Sequence, residues 1–146
     1  MVEVIRMISN RDGLAEKVYM LGILQQKYVV ARLKILQLNS LQARSLSYIS
    51  IHPGTIQREL ADYLGKKQAT VTNILKGLEE QKLVYREIPK SNERQKNLFL
   101  TAEGEQLVKQ VNLIFEQLDQ KVRNGLTEQE QEQLEVNLAK AKQNFD

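Results

Sequence analysis

PGTIQRELADYLGKKQATVTNILKGLEEQKLVYREIPKSNERQKNLFLT, residues Pro53 to Thr101, is the stretch that decides the fold of this chain. Its first part, TIQRELADYLG (Thr55 to Gly65), sets Ile56, Leu60, Ala61 and Leu64 at helical spacing. Thr55 is the expected N-cap and Gly65 the expected stop. The second part, KKQATVTNILKGLEEQKL (Lys66 to Leu83), predicts a helix from about Lys67 to Gln81. The third part, VYREIPKSNERQKNLFLT (Val84 to Thr101), continues from Leu83 as two short strands, Leu83-Val84-Tyr85 and Leu98-Phe99-Leu100. Between them runs a polar loop from Pro89 to Lys96 that is too hydrophilic to pack.

Helical patterns flank this stretch on both sides. Leu14, Val18, Leu21, Leu24, Tyr28, Ala31, Ile35 and Leu38 form one apolar stripe, which predicts a long amphipathic helix up to about Leu38. Asn39 and Gln42 offer a capping box for a second helix, carried by Leu41, Leu46 and Ile49. That helix must stop at His52-Pro53-Gly54, because proline forces the residue before it out of the α region. Thr101 caps a later helix bearing Leu107, Val111, Ile114, Phe115, Leu118 and Val122. Thr127 and Glu130 open a last one, striped by Leu134, Leu138, Ala141 and Phe145. The fold class is therefore mainly α (α+β): a winged helix-turn-helix with a small β-hairpin wing, flanked by N- and C-terminal dimerisation helices. Residues 1–146 read as a single domain, with the winged helix-turn-helix region at 39–101 and helical dimerisation regions at 1–38 and 102–146. The flanking stripes are broader than the small central region can bury, so they are expected to pack together and against a second copy of the chain.

Composition removes several function classes. With no cysteine, the chain has no disulfide, no thiolate zinc or iron–sulfur site and no thiol redox switch. Its one histidine, His52, argues against a His-rich metal site. Aromatics are 5% of residues and Trp is absent, which leaves little to line a large aromatic cofactor site. No cofactor or metal is expected. No apolar run reaches the ~20 residues of a membrane span, and MVEVIRMISNRDG lacks a signal peptide's apolar core, so the expected location is cytoplasmic with no membrane partner.

Charge is unevenly distributed. Residues 65–101 hold eight Lys/Arg and four Glu, whereas residues 102–146 hold five Lys/Arg and nine Asp/Glu. A polyanion would be attracted to the first and repelled by the second. In the helix after Gly65, Val71, Ile74, Leu75 and Leu78 share one face. The opposite face shows Ala69, Thr72, Asn73 and Lys76, with Gln68 and Thr70 near the start. Asn and Gln can pair with adenine, Thr and Ala can meet a thymine methyl, and Lys can reach guanine or phosphate. Lys66 and Lys67 suit phosphate at the helix start. The hairpin tip adds Lys90, Ser91, Asn92, Arg94 and Lys96, a set suited to straddling a DNA backbone and reaching a minor groove. Each face alone would also suit a solvated surface; a polar helix face followed by a basic hairpin points to double-stranded DNA.

The stretches HPGTIQRELADYLGKKQATVTNILKGLEEQKLV and NERQKNLFLTAEG resemble the MarR family of bacterial transcriptional regulators. The family's wing carries an acidic residue, any residue and Arg, and leads into Leu-Thr-x-x-Gly. Leu100, Thr101 and Gly104 match that ending and Arg94 matches the arginine, while Asn92 stands where Asp is usual. Lys67 stands where many relatives have a capping Ser. The resemblance spans about Leu14 to Phe145 and implies a homodimer joined through its terminal helices, reading a pseudo-palindromic operator, usually as a repressor. It also implies a cleft for small, often aromatic or phenolic, molecules, for which Tyr28, Arg32 and Tyr48 are the candidate lining residues. The lack of Cys and the single His do not fit the family's thiol-oxidation and zinc-sensing branches.

Two other classes compete. A dimer of this fold could serve as a protein-binding adaptor through its acidic C-terminal helices, without specific DNA binding. An enzyme would have to use Glu79-Glu80 or the run from Glu128 to Glu135, but no nucleophile–base set or phosphate loop lies near either in sequence.

Overall fold

The computed structural model describes residues 12–92 and 94–146. The opening segment read above for a signal peptide lies outside the described residues up to Arg11, as does Glu93 in the wing. Among the described residues the elements run α1 (Leu14–Ile35), α2 (Ser40–Ile51), β1 (Thr55–Ile56), α3 (Gln57–Leu64), α4 (Gln68–Glu80), β2 (Val84–Glu87), β3 (Asn97–Leu100), α5 (Ala102–Arg123) and α6 (Glu128–Gln143). The chain is mainly α with a small antiparallel sheet, as its pattern predicts.

Local chemistry explains most element boundaries. Asn39 Oδ1 accepts from Gln42 N at 2.8 Å while Asn39 N donates to Gln42 Oε1 at 3.0 Å, completing the expected capping box of α2. Thr101 Oγ1 accepts from Gly104 N at 3.0 Å at the start of α5, and Thr127 with Glu130 closes a second box at α6. Gly65 ends α3 in the left-handed region at φ 64°. Without a glycine to help, α1 stops at Ile35 rather than Leu38: Gln37 takes φ 61°, and Leu38 N donates to Leu33 O at 3.0 Å.

Thr55 is not the cap of α3. It is a buried residue of β1, a third strand beyond the expected two-stranded hairpin, paired with Leu98 of β3. The cap position falls to Ile56, which has no side-chain acceptor. Only the reciprocal half of a capping box forms there, Ile56 N donating to Glu59 Oε1 at 3.2 Å. The strand order is β1-β3-β2, with Val84 facing Leu100 and Glu87 facing Asn97. β3 is thus the middle strand.

The core is built around α2, α4 and α5. Leu46, Ile49, Leu60, Val71, Leu75, Leu78, Leu98 and Val111 are fully buried in it. α5 crosses the assembly and packs against α1, α2 and β3. Only part of the stripe read along α1 enters this core: Leu38 is buried just past the helix end and Tyr28 packs partly against it. α1 buries Val29 and Leu33, on another face, whereas Leu14, Val18, Leu21, Leu24 and Ile35 stay exposed. α6 buries no residue, and its stripe from Leu134 to Phe145 faces outward. Periodicity located these apolar surfaces but could not say whether they meet this chain or another.

Candidate nucleic-acid interface

α4 is held by one face and offers the other. Val71, Leu75 and Leu78 are completely buried, which fixes the rotation of the helix. Ala69, Thr72, Asn73 and Lys76, three or four residues apart, are exposed on the opposite side, with Gln68 and Thr70 exposed in the first turn. Lys66 and Lys67 are exposed just ahead of them. Lys67 is the N-cap and makes no side-chain capping bond, so the first turn presents backbone N–H groups beside two ammonium groups. A positive charge there is unfavourable for the helix dipole unless an anion is near.

A side chain from outside α4 braces its first turn. Gln57 Nε2 donates to Gln68 O at 3.2 Å and to Thr72 Oγ1 at 2.7 Å, and Thr72 Oγ1 donates to Gln68 O at 2.9 Å. The Thr72 hydroxyl and the Gln68 carbonyl are thereby tied to Gln57 in one network.

The wing stands beside this helix start. A cleft of about 480 Å³ runs between them, lined by Gln57, Arg58, Gln68, Arg86, Arg94 and Lys96 among others. Arg86 is bound to Glu79, tying β2 to the end of α4; Arg58, Arg94 and Lys96 make no ion pair among the described residues. Asn92 and Arg94 are joined as the sequence allows, but through the backbone: Asn92 Oδ1 accepts from Arg94 N at 3.1 Å. An aspartate's second function in that place, a charged partner for an arginine side chain, is unavailable to an amide. Lys90 and Ser91 are exposed at the tip but do not line the cleft.

Gln57, Arg58 and Arg86 were not singled out by sequence. Arg86 could have been found from strand alternation, which puts it on the same side of β2 as buried Val84 and therefore toward α4. Gln57 and Arg58 open α3 and gain their position only when α3 and α4 pack.

The three residues expected around a ligand cleft are divided. The Arg32 guanidinium lies 3.4 Å above the Tyr28 ring, and Tyr28 lines a polar cavity of about 630 Å³ against the α5–α6 turn. On its other side it contributes to an apolar pocket of about 210 Å³ with Leu21, Leu24 and Leu118. Tyr48 instead stacks on Tyr63 and meets the His52 ring at a tilt, 4.6 Å from each between ring centres. No helix among the described residues is long and apolar enough to cross a membrane.

The family model described as "MarR family" matches residues 36–95. A protein of Clostridium acetobutylicum assigned to that family of transcriptional regulators is 35% identical, with 89% of this chain and 96% of that chain covered at a TM-score of 0.69. The Staphylococcus aureus regulator MepR, crystallised as a DNA complex, is 28% identical over 94% of this chain and 100% of its own, at a TM-score of 0.80. The transcriptional regulator SlyA is 25% identical over 90% of this chain and 93% of its own, at 0.77.

Proposed function

This chain belongs to the MarR family of DNA-binding transcriptional regulators, and from that premise we propose that it is a cytoplasmic homodimer that represses genes by occupying a pseudo-palindromic operator. Each copy lays α4 in a major groove, with Gln68, Thr70, Thr72, Asn73 and Lys76 toward the bases. Lys66 and Lys67 take phosphates, while Arg94 and Lys96 of the wing reach the neighbouring groove and backbone. The observation that carries this reading is the pairing of a rotationally fixed helix, Val71, Leu75 and Leu78 all at 0% exposure, with an adjacent cleft bearing Arg58, Arg94 and Lys96. The role is binding and regulation, not catalysis.

Residues 39–101 act as the reading head and the flanking helices as the dimerisation region. The exposed apolar side chains of α1 and α6 support that assignment, since Leu14, Leu24 and Leu138 are 79%, 58% and 47% exposed in the single chain. Packing against a second copy would take these apolar side chains out of water. A small aromatic or phenolic ligand near Tyr28 would release the operator by favouring a dimer whose two heads no longer match its half-site spacing.

Two measurements test the proposal. Fluorescence anisotropy on a selected duplex should show affinity falling steeply as salt rises, through counterion release from phosphates; affinity indifferent to salt would favour a protein-binding adaptor. Light scattering at micromolar concentration should give a dimer, and a monomer there would remove the two-headed arrangement.

A further inference from the structure

We propose that Arg123, at the end of α5, is a positioning residue for dimerisation: it sets the direction of α6 before a second copy arrives. The inference rests on the homodimer reading above. α6 buries no residue in its own chain, so no core contact aims it. Among the described residues, the only side-chain hydrogen bonds that join α6 to α5 come from Arg123. Its Nη1 donates to Gln131 Oε1 at 3.2 Å, and its Nη2 donates to Glu135 Oε1. Gln131 and Glu135 stand one helical turn apart on α6. One anchor would leave α6 free to pivot, whereas two anchors along its length fix an axis.

The guanidinium is itself aimed. Asp119, four residues back on α5, accepts from Arg123 Nε at 2.7 Å. The donors of a guanidinium lie in one plane, so holding Nε at Asp119 also sets where Nη1 and Nη2 point. Gln131 is fixed from its far side, because its Nε2 donates to Leu126 O at 3.0 Å and leaves Oε1 for the guanidinium. That bond and the Thr127–Glu130 cap survive without Arg123, but both stay within the turn and the start of α6 and reach no part of α5. Leu134 and Leu138, exposed one turn apart on α6, are thus presented in a set direction, and a second copy meets a helix that is already ordered.

Sedimentation over a dilution series, reading the dimer Kd, tests this. Arg123→Met keeps an aliphatic stem without the planar fork. An exposed ion pair is worth up to about fivefold and a dimer holds two such clamps, so Kd should rise roughly tenfold, with helicity by circular dichroism unchanged. Arg123→Lys keeps the charge but cannot serve three acceptors from one plane, and should weaken the dimer nearly as much. It carries the test if the methionine variant fails to fold. A charge swap separates a bond within one chain from a bond between copies. Arg123→Glu and Glu135→Arg should each weaken the dimer, and the two together in one chain should restore part of the loss. An equimolar mixture of the two single variants should restore none of it, since each chain then holds a like-charged pair. A mixture that recovers the wild-type Kd overturns the proposal, as does an Arg123→Met or Arg123→Lys protein that dimerises like wild type. A wild-type monomer would instead overturn the homodimer reading, and this proposal with it.

Discussion

Gly104→Ala places a methyl group where the chain has no room. A Cβ at residue 104 would stand 2.2 Å from Leu83 O and 3.1 Å from Leu83 C, backbone atoms that cannot swing aside as a side chain can. To reach even 3.0 Å, Leu83 O must retreat by 0.8 Å. That oxygen accepts from Thr101 N at 3.0 Å, so the retreat strains or breaks the bond that joins the end of β3 to the turn before β2. The lost bond costs about 0.5–1.5 kcal/mol and the overpacking about 1–3 kcal/mol. Alanine's helical preference over glycine returns at most about 1 kcal/mol. The expected net effect is a destabilisation of about 0.5–4.5 kcal/mol. Gly77→Ala in α4 is the matched control. Its Cβ would meet only Gln42 Nε2, at an ordinary 3.6 Å, so the same substitution should stabilise by roughly 0.5–1 kcal/mol. Urea titration by circular dichroism at one fixed protein concentration reads both, the fixed concentration being needed for any dimer. A Gly104→Ala protein with a midpoint at or above wild type would refute the steric reasoning.

Three further outcomes are expected. Arg94→Ala should weaken operator binding and reduce the slope of log affinity against log salt by about one, with melting unchanged; an unaltered slope would remove Arg94 from the phosphate and groove contacts. Asn73→Ala or Gln68→Ala should cost roughly 1–3 kcal/mol at a particular base pair, whereas a loss spread evenly over all sequences would mean neither reads a base. Glu130, whose carboxylate accepts from Thr127 N at 3.0 Å, is held below the ordinary glutamate range by that backbone bond and then by the Thr127 hydroxyl. Because the folded value is the lower one, the cap stabilises α6 fully above about pH 4.3 and loses that contribution as pH falls through the folded value. The gap in helicity between wild type and Glu130→Ala should therefore narrow in acid, and a constant gap from pH 7 to pH 3 would contradict the cap's role.

What could be read from sequence was what single residues do to their own neighbourhood. Asn39 with Gln42, Thr101, and Thr127 with Glu130 each cap through their own side chains, and Gly65 takes the one backbone conformation that favours it. The face of α4 was also legible, because Val71, Leu75 and Leu78 repeat at helical spacing against polar neighbours. β1 was not: two residues carry no period, and Thr55 becomes a strand residue only through Leu98, far along the chain. Nor was the buried face of α1, where Val29 and Leu33 compete with an equally apolar stripe through Leu21 and Leu24. At the interface, the polar helix face and wing arginine were visible in the sequence. Gln57 and Arg58 were not, since their role depends on how two helices pack.

The central place of β3 has a mechanical consequence. A hairpin wing joined to its protein along one edge could flap independently of the helix beside it. Here β3 is hydrogen-bonded on both sides, to β2 and to β1, and β1 runs directly into α3. Gly54 N adds a further bond to Leu98 O at 2.8 Å, and Arg86 clamps β2 to α4 through Glu79. Wing and α4 are therefore tied together as one tool, like two prongs on a single handle. If a ligand regulates grip as proposed, it would find little slack inside that tool and would have to turn the handle itself, where the reading head meets α1 and α5.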